Sequence, residues 1–284
     1  MGRMVAEELG KLLKQPFVVE NIGGVGGALG MERALRLPAD GYTLIQTGVG
    51  QNAVAHGLDP KLGYDSMRDF IHVSHVHTGP NLLVVHPDQP FKTFQELLAY
   101  IRKNPGKLNY GYTHAASGHM AMELLKQVGG VDGKPLYIVG IPYRGGGPMM
   151  QDILGGQIPM MFDGYATSRN LIATGKVQAY AVAGKHRLSQ LPEVPTLTEL
   201  GYPDLDFSNW MGVIVSSSMP AELQEKIHKA VRNVALNPKF RGRMFATGFE
   251  GAEDWNIQQL AQSVKTEFER NAAIVKQFNI QLNQ

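Results

Sequence analysis

Three consecutive glycines, Gly145, Gly146 and Gly147, lie between Arg144 and Pro148 in the segment PYRGGGPMMQDILGG. Glycine leaves the backbone amides bare, and Pro148 suits the first turn of a helix. The first amides of a helix have no partner within it and carry partial positive charge, so they bind anions readily. Arg144 could pair with a ligand carboxylate or could anchor the loop to a neighbouring acid. The segment predicts an anion site, with a purely structural turn as the ordinary alternative.

A second segment of this kind is YGYTHAASGHMAMELLK, which follows a strand-like run and then opens a helix. We expect Ser117 to be the N-cap of that helix, because its hydroxyl can accept from the free amides of the first turn. His114 and His119 flank the loop and are candidates for ligand contact, with surface capping as an equally ordinary role. Two such helix starts facing one cleft would hold an anion with few charged side chains.

Asp163 ends the strand-like segment IPMMFDG, at the position where open α/β sheets place ligand groups. It can accept from a ligand hydroxyl, an amine or a bridging water, or it can cap a helix. No G-x-S-x-G elbow is present, and Ser117 and His119 are too close in sequence to face each other on a helix. The sequence therefore favours binding over catalysis. An α/β enzyme that acts on a small acid through Asp163 and His119 is the alternative.

The histidines of FIHVSHVH raise the question of a metal. A strand places His75 and His77 on one face and His72 on the other. Two imidazoles without a nearby carboxylate make a poor zinc site, so we expect no metal and a half-exposed strand face. The chain contains no cysteine, which excludes disulfides, thiolate metal sites and cysteine nucleophiles.

The glycine-rich stretch VVENIGGVGGALG resembles a dinucleotide-binding turn only in part. Gly24, Gly26 and Gly30 give G-x-G-x-x-x-G, with Leu29 where the fingerprint needs its third glycine. The next strand, YTLIQTG, lacks the terminal acid that would hold a ribose. We expect a tight structural turn and no nucleotide or other cofactor.

Composition limits the remaining possibilities. A chain of 284 residues is long enough for two domains, each with its own core. The net charge of +2 argues against a nucleic-acid surface. No apolar run approaches the roughly 20 residues that would span a bilayer. A globular protein is the expectation.

Strand-like and helix-like segments alternate along almost the whole chain, beginning with an N-terminal helix and the strand FVVEN. This order predicts an α/β fold with parallel sheets covered by helices on both faces. NLLVVHPDQPFKTFQELLAYIRKNPG and NWMGVIVSSSMPAELQEKIHKAVRNVALNP share one pattern of strand, turn, helix and Asn-Pro. Two similar strands that leave and re-enter a domain would form a hinge. We therefore expect a discontinuous domain of residues 1–85 and 211–284, a second domain of residues 86–210, and a cleft between them.

Several segments together resemble the substrate-binding proteins of tripartite tricarboxylate transporters, the Bug-type family. The segments are VVENIGGVGGALG, PADGYTL, YDSMRDF, LLVVHPDQPFKTFQELLAYIRKNPGKLNYG, IPYRGGGPMMQDILGGQIPMMFD and LPEVPTLTELGYP. The resemblance implies a type II periplasmic binding protein fold, with two α/β domains that close on a small carboxylated solute. Di- and tricarboxylates, acidic amino acids and aromatic carboxylates are the expected ligands. It also implies a monomeric, periplasmic protein that delivers its ligand to the membrane components of a transporter.

The resemblance also assigns residues to the cleft, where loop amides and ordered waters would hold the ligand. By position these are Gln51, Asn52, Thr113, His114, Ser117, His119, Arg144, Gly145, Gly146, Gly147, Asp163 and Thr167. In the family, VVENIGGVGG is a structural turn near the cleft.

Two departures from the family pattern are visible. The family begins with a signal peptide, a strand and a P-x-G-G-type loop, whereas this chain begins inside the following helix, with no signal peptide. We expect a misplaced or trimmed start, with the first strand missing. The loop GYTHAASGH is about one residue shorter than usual and carries His114, so its ligand preference should differ from that of citrate-type members. A cytoplasmic ligand-sensing module that has lost its export signal is a further alternative.

Overall fold

The structure is a computed structural model that describes residues 1–58 and 61–278. Helices and strands alternate along the chain, as predicted. The helices are α1 Gly2–Leu13, α2 Ala28–Ala34, α3 Ala55–Leu58, α4 Phe94–Lys103, α5 Ser117–Val128, α6 Gly146–Leu154, α7 Tyr165–Ala173, α8 Ala221–Leu236, α9 Pro238–Phe245 and α10 Ile257–Gln277. The strands are β1 Ile45–Gly48, β2 Phe70–Gly79, β3 Asn81–Val85, β4 Asn109–Thr113, β5 Val139–Tyr143, β6 Met160–Gly164, β7 Gln178–Ala183, β8 Asn209–Ser216 and β9 Glu250–Gly251. Within the described residues, no helix is both long enough and apolar enough to cross a membrane.

The chain divides into two compact units, each with its own sheet. Unit 1 comprises Met1–Thr78 and Trp210–Gln284, and unit 2 comprises Gly79–Asn209. The sequence places the first boundary after residue 85, which differs from this division because β3 pairs with β6 and β7 in the sheet of unit 2. The cleft between the two domains stays a prediction.

The sheet of unit 1 has the strand order β1-β8-β2-β9. Strand β1 pairs antiparallel with β8, and β2 pairs antiparallel with β9. Helices α1 and α8 cover this sheet, because their apolar faces meet the strands in one buried cluster. The cluster includes Val5 and Leu9 from α1, Val76 from β2, Val213 from β8 and Val231 from α8. The N-terminal helix predicted from apolar spacing therefore packs into the core.

The prediction of a strand at FVVEN, residues 17–21, is wrong. Residues 16–23 form neither a helix nor a strand, and Val18 is 89% exposed. A strand needs a neighbour to complete its hydrogen bonds, and the described residues supply no partner for this segment. The glycines that follow form a tight turn, with φ of 63° at Gly26 and 99° at Gly27. A Cβ on Gly27 would lie 2.4 Å from Nε2 of Gln51, so the Gln51 side chain would have to shift to admit one.

The sheet of unit 2 has the strand order β5-β4-β6-β3-β7. Strand β4 runs parallel to β5 and β6, whereas β3 runs antiparallel to both β6 and β7. The prediction of parallel sheets is therefore wrong for β3 and for the antiparallel pairs of unit 1. The register places Val85 beside Met160, close to the level at which β4 begins. The segment containing α4 thus leaves β3 and enters β4 at the same edge of the sheet, so β4 runs in the opposite direction to β3.

Candidate functional site

Three parallel strands of unit 2 end at the same edge of their sheet. Strand β4 lies between β5 and β6, and Thr113 pairs with Tyr143. Gly111 pairs with Met161, so two residues later Thr113 and Asp163 reach the same level. We call this edge, with the loops that follow Thr113, Tyr143 and Asp163, the strand-end edge. It is the position at which α/β sheets commonly bind ligands.

Helices α5, α6 and α7 begin directly after these strands, so three helix N-termini lie at the strand-end edge. Within the part of the chain that the structure describes, none of the three has a side-chain cap. Their first-turn amides have no intrahelical partners and carry partial positive charge. The edge is therefore suited to a bound anion.

The loop before α6 leaves open space in front of its amides. Gly145 is the N-cap residue with φ of 134°, a conformation that favours glycine. A Cβ added to Gly145 or Gly147 would meet no atom within 4 Å, whereas one on Gly146 would lie 3.7 Å from Oδ1 of Asp163. The helix begins at Gly146, two residues before the predicted start at Pro148. Pro148 still lies in the first turn, where a missing N–H costs little.

Arg144 is exposed at the end of this loop. Its side chain makes no hydrogen bond or ion pair with the residues that the structure describes. No acid among those residues therefore anchors Arg144, in contrast to the second role considered for it. A free guanidinium beside bare amides can form a bidentate pair with a carboxylate.

Asp163 lies partly buried at the end of β6, just before α7. The hydroxyl of Thr167, on the first turn of α7, contacts Oδ2 of Asp163 and lies 2.8 Å from the carbonyl oxygen of Gly164. Burial raises the pKa of Asp163, and hydrogen bonds from Thr167 and from the backbone of Gly164 oppose this to a smaller extent. Asp163 and Thr167 thus form one polar pair at the strand-end edge.

The expectation that Ser117 caps α5 is wrong. The N-cap position is Ala116, because the chain turns at Ala115 with a positive φ of 57° and enters the helix one residue early. The buried Ser117 hydroxyl instead accepts from Nδ2 of Asn81, at 2.9 Å. That amide also donates to the carbonyl oxygen of Phe207, at 2.6 Å. Sequence reasoning missed Asn81, although an asparagine begins both strands of the repeated pattern.

His119 is buried beneath the loop rather than facing its open side. Its ring is 3% exposed and stacks on Tyr112, with ring centroids 4.1 Å apart. Burial lowers the pKa of His119 to about 4. It therefore has almost no surface for the predicted ligand contact, and the enzyme alternative loses its proposed base. His114 is only partly buried, with its ring centroid 6.1 Å from that of His119, and remains a candidate.

Asn52, predicted to contact the ligand, lies in the interior of unit 1. It belongs to the π-helical turn Gly50–Val54 and is completely buried. Its amide donates to the Thr47 hydroxyl and to the Gly48 carbonyl, both at 2.7 Å, and its Oδ1 lies 2.9 Å from Nε2 of His72. Its side chain is therefore committed to the core, in contrast to the prediction.

Gln51 has a different environment. Its side chain is partly buried, and its Nε2 donates to the carbonyl oxygen of Gly26, at 3.1 Å. The backbone carbonyl oxygen of Gln51 accepts from the Tyr64 hydroxyl, at 2.8 Å. Gln51 therefore joins the glycine-rich turn to the π-helical turn, and its contact with the ligand stays a prediction.

The prediction of a half-exposed face on β2 is also wrong. His72, His75 and His77 are all at least 95% buried, because packed side chains cover both faces of β2. His75 is bonded to Thr78 and to the backbone N–H of Glu253. Neither ring nitrogen of His77 has a partner in the described residues. Among those residues, no three acidic or histidine side chains come together in a way that could hold a metal.

A family model and several proteins of known sequence match this chain. A model of the tripartite tricarboxylate transporter family receptor (TctC) matches residues 1–280. An Agrobacterium vitis relative, the UPF0065 protein in the TAR-I ttuE-ttuC' intergenic region, is 32% identical. That similarity covers 98% of this chain and 79% of the relative.

Three solved structures are similar over nearly the whole chain. R. palustris Rpa4515 with adipate has 27% identity and a TM-score of 0.92, with 99% of this chain and 92% of that chain covered. The periplasmic binding protein BugD has 30% identity and a TM-score of 0.91, with the same coverage. MatC from Rhodopseudomonas palustris with bound malate has 29% identity and a TM-score of 0.89, covering 96% and 92%.

The similarity accounts for the two sheets and the mixed strand directions. The fold is of the type II periplasmic binding protein kind, as the sequence resemblance implied. The structural relatives are solute-binding proteins, and the family model spans both units of this chain. The chain belongs to the TctC family of tripartite tricarboxylate transporter receptors.

Proposed function

We propose that this protein captures a small organic acid through its carboxylate groups at the strand-end edge of unit 2. Di- and tricarboxylates, acidic amino acids and aromatic carboxylates remain the candidate classes, and dicarboxylates are favoured. The protein would act as a monomer in the periplasm and deliver its ligand to the membrane components of a tripartite tricarboxylate transporter.

The observation that carries this proposal is that three helix N-termini lie at one edge beside Arg144, and that residues 1–58 and 61–278 supply neither a side-chain cap for these helices nor a partner for the guanidinium. Bare amides of α6 would accept one carboxylate, with Arg144 as a bidentate partner. Thr113 and His114 on the neighbouring loop, with Asp163 and Thr167, would contact the rest of the ligand or its waters. Ser117, held by Asn81, would position the start of α5.

Two structural relatives support a dicarboxylate. One was solved with adipate and the other with malate, and both of these acids carry two carboxylates. Amides and a guanidinium recognise a carboxylate with little regard to the rest of the molecule. The shape of the pocket must therefore select among acids of different length.

The proposal is tested by thermal shift and calorimetry with adipate, malate, citrate, glutamate, terephthalate and NAD. A ligand at a hundred times its Kd should stabilise the fold by about 2.7 kcal/mol, which moves Tm measurably. Arg144→Gln should weaken acid binding by roughly tenfold or more, because charge-assisted hydrogen bonds contribute about 1.5–3 kcal/mol. Arg36→Gln is the matched control, since Arg36 is also exposed but lies in unit 1.

A folded protein that binds none of these acids would contradict the proposal, as would unchanged affinity in Arg144→Gln. Location is tested by fractionating cells that produce the protein. Delivery is tested by uptake of the labelled acid in cells with and without it, and the monomer by light scattering.

A further inference from the structure

We propose that Asp163 enters the ligand complex as the neutral acid, so that capture of a carboxylate takes up one proton at this residue. This inference rests on the proposed function, because it concerns the same strand-end edge. It changes the role expected of Asp163 from acceptor to donor, and it adds a criterion for ligand choice.

The first support is the hydrogen count around Thr167. The Thr167 hydroxyl has one hydrogen, and its Oγ1 contacts both Oδ2 of Asp163 and, at 2.8 Å, the carbonyl oxygen of Gly164. One hydrogen shared between two acceptors compensates the charge of Asp163 only in part. The ionised carboxylate of the ligand-free protein is therefore weakly stabilised and takes up a proton readily when a second carboxylate binds beside it.

The second support is the position of Asp163 beside the start of α6. Its Oδ1 lies 3.7 Å from where a Cβ of Gly146 would be, next to the amides proposed to hold the ligand. A carboxylate bound there would be a close neighbour of Asp163. Two carboxylates that share a site cannot both ionise without a large penalty, so one of them takes up a proton.

The proton is expected on Asp163 rather than on the ligand. The ligand carboxylate would receive the α6 amides and the Arg144 guanidinium, which favour its charged form. Burial raises the pKa of Asp163, and its bonds from Thr167 and Gly164 only partly offset this. Among the charged and titratable groups on the surrounding elements, Arg144 precedes α6, Arg169 lies on α7, His114 lies in the loop between β4 and α5, and His119 lies on the first turn of α5. His119 is neutral near pH 7, because burial lowers its pKa to about 4.

A neutral Asp163 donates a hydrogen bond, whereas an ionised Asp163 would attract an amine. The neutral form therefore favours plain carboxylates, such as adipate, over amino acids whose ammonium group would need an anionic partner. Ligand choice and proton uptake are two consequences of one protonation state.

The test is calorimetry with adipate, or with malate where adipate does not bind, between pH 6 and 9. At each pH, two buffers with different ionisation enthalpies report the protons exchanged. We expect uptake that approaches one proton per ligand near pH 8, with Kd rising about tenfold per pH unit above the pKa of free Asp163. Asp163→Asn should bind the acid with no proton uptake and a flat pH profile.

Two control variants identify the group that takes up the proton. Asp152→Asn should retain the uptake, because Asp152 also accepts from a hydroxyl, that of Tyr143 at 2.6 Å, but lies within α6. Because His114 is proposed to contact the ligand, His114→Gln should weaken binding, but the proton uptake per bound ligand should remain, which excludes the nearby imidazole as the source.

Binding without proton exchange in the wild-type protein would overturn this inference and leave the proposed function intact. Uptake that persists in Asp163→Asn, or that disappears in His114→Gln, would also overturn it. Where neither acid binds, the titration uses whichever acid of the panel does, and absence of binding by the whole panel in a folded sample would instead reject the proposed function. Should Asp163→Asn fail to fold, the wild-type and His114→Gln titrations decide.

Discussion

Acid is expected to destabilise unit 1 through the three histidines of β2. Burial lowers the pKa of His72 and His75 to about 4, and that of His77 to about 3, from an ordinary value of 6.5. Because the folded pKa lies below the unfolded one, folding favours the neutral ring. The corresponding stability is fully present above pH 6.5 and is lost as the pH falls towards the folded values.

The effect is large compared with the stability of an ordinary domain. Between pH 7.5 and pH 5, a ring whose folded pKa is about 4 loses about 2 kcal/mol of stabilisation. Three such rings on one strand would together cost about 6 kcal/mol. Typical proteins have only about 5–15 kcal/mol in total. Unit 1 should therefore approach unfolding near pH 5 while remaining folded at pH 7.5.

The two tryptophans of the chain provide a specific assay. Trp210 and Trp255 both lie in unit 1, with ring centroids 6.4 and 5.6 Å from that of His75. Urea unfolding followed by tryptophan fluorescence should show a midpoint that falls at each step from pH 7.5 to 5. Far-UV circular dichroism is recorded in parallel, because a protonated His75 could itself quench the tryptophans.

A variant separates His77 from its neighbours. His77→Leu removes a buried ring whose nitrogens have no partner in the described residues, so it should stabilise unit 1 by about 1 kcal/mol at pH 7.5. It should also lower the number of protons taken up on unfolding by up to one, which makes the fall of stability with pH less steep. His186→Leu, an exposed position in unit 2, should leave that dependence unchanged. A unit 1 midpoint that is constant from pH 7.5 to 5, or a wild-type pH slope in His77→Leu, would refute the reasoning.

Four further substitutions test other parts of the structure. Gly242→Ala should stabilise α9 by up to about 1 kcal/mol, because an added Cβ meets no atom within 4 Å. Gly147→Ala should gain less, because the Pro148 ring disfavours the helical conformation of the residue before it. Only Gly147→Ala should weaken acid binding in calorimetry, and equal binding by the two variants would argue against ligand contact at the α6 loop. Asn52→Ala should cost at least about 3 kcal/mol in urea unfolding, since it leaves several buried groups unpaired, and a loss below 1 kcal/mol would contradict its structural role. Tyr180→Phe should cost about 1 kcal/mol by the same method, because its buried hydroxyl donates to the Phe91 carbonyl at 2.7 Å, and an unchanged midpoint would show that this bond contributes nothing.

The strand-end edge could be predicted largely from sequence, because its signals are local. An apolar run, a short segment of small residues and an amphipathic helix recur around Thr113, Arg144 and Asp163. Each pattern places a loop at the end of a strand without reference to distant residues. The start of α6 was misplaced by two residues and Ser117 was misassigned as a cap, because turn geometry depends on individual φ angles such as that of Ala115.

Other features depend on packing between distant parts of the chain. Asn52 and His119 were predicted to contact ligand, but neighbouring elements bury them, and no local pattern reveals that burial. The direction of β3 follows from where the α4 segment returns to the sheet. FVVEN has a strand-like composition, but strand formation also requires a partner elsewhere.

The strand order of unit 1 has a consequence for folding during synthesis. Strand β8, from Asn209–Ser216, lies between β1 and β2, whereas unit 2 is one continuous stretch, Gly79–Asn209. Unit 2 can fold as soon as it has emerged, but β1 and β2 must wait for a strand that follows the whole of unit 2. Such distant pairing is slow, and the waiting strands expose apolar edges that invite aggregation. The first 78 residues are therefore the part of the nascent chain most in need of a chaperone.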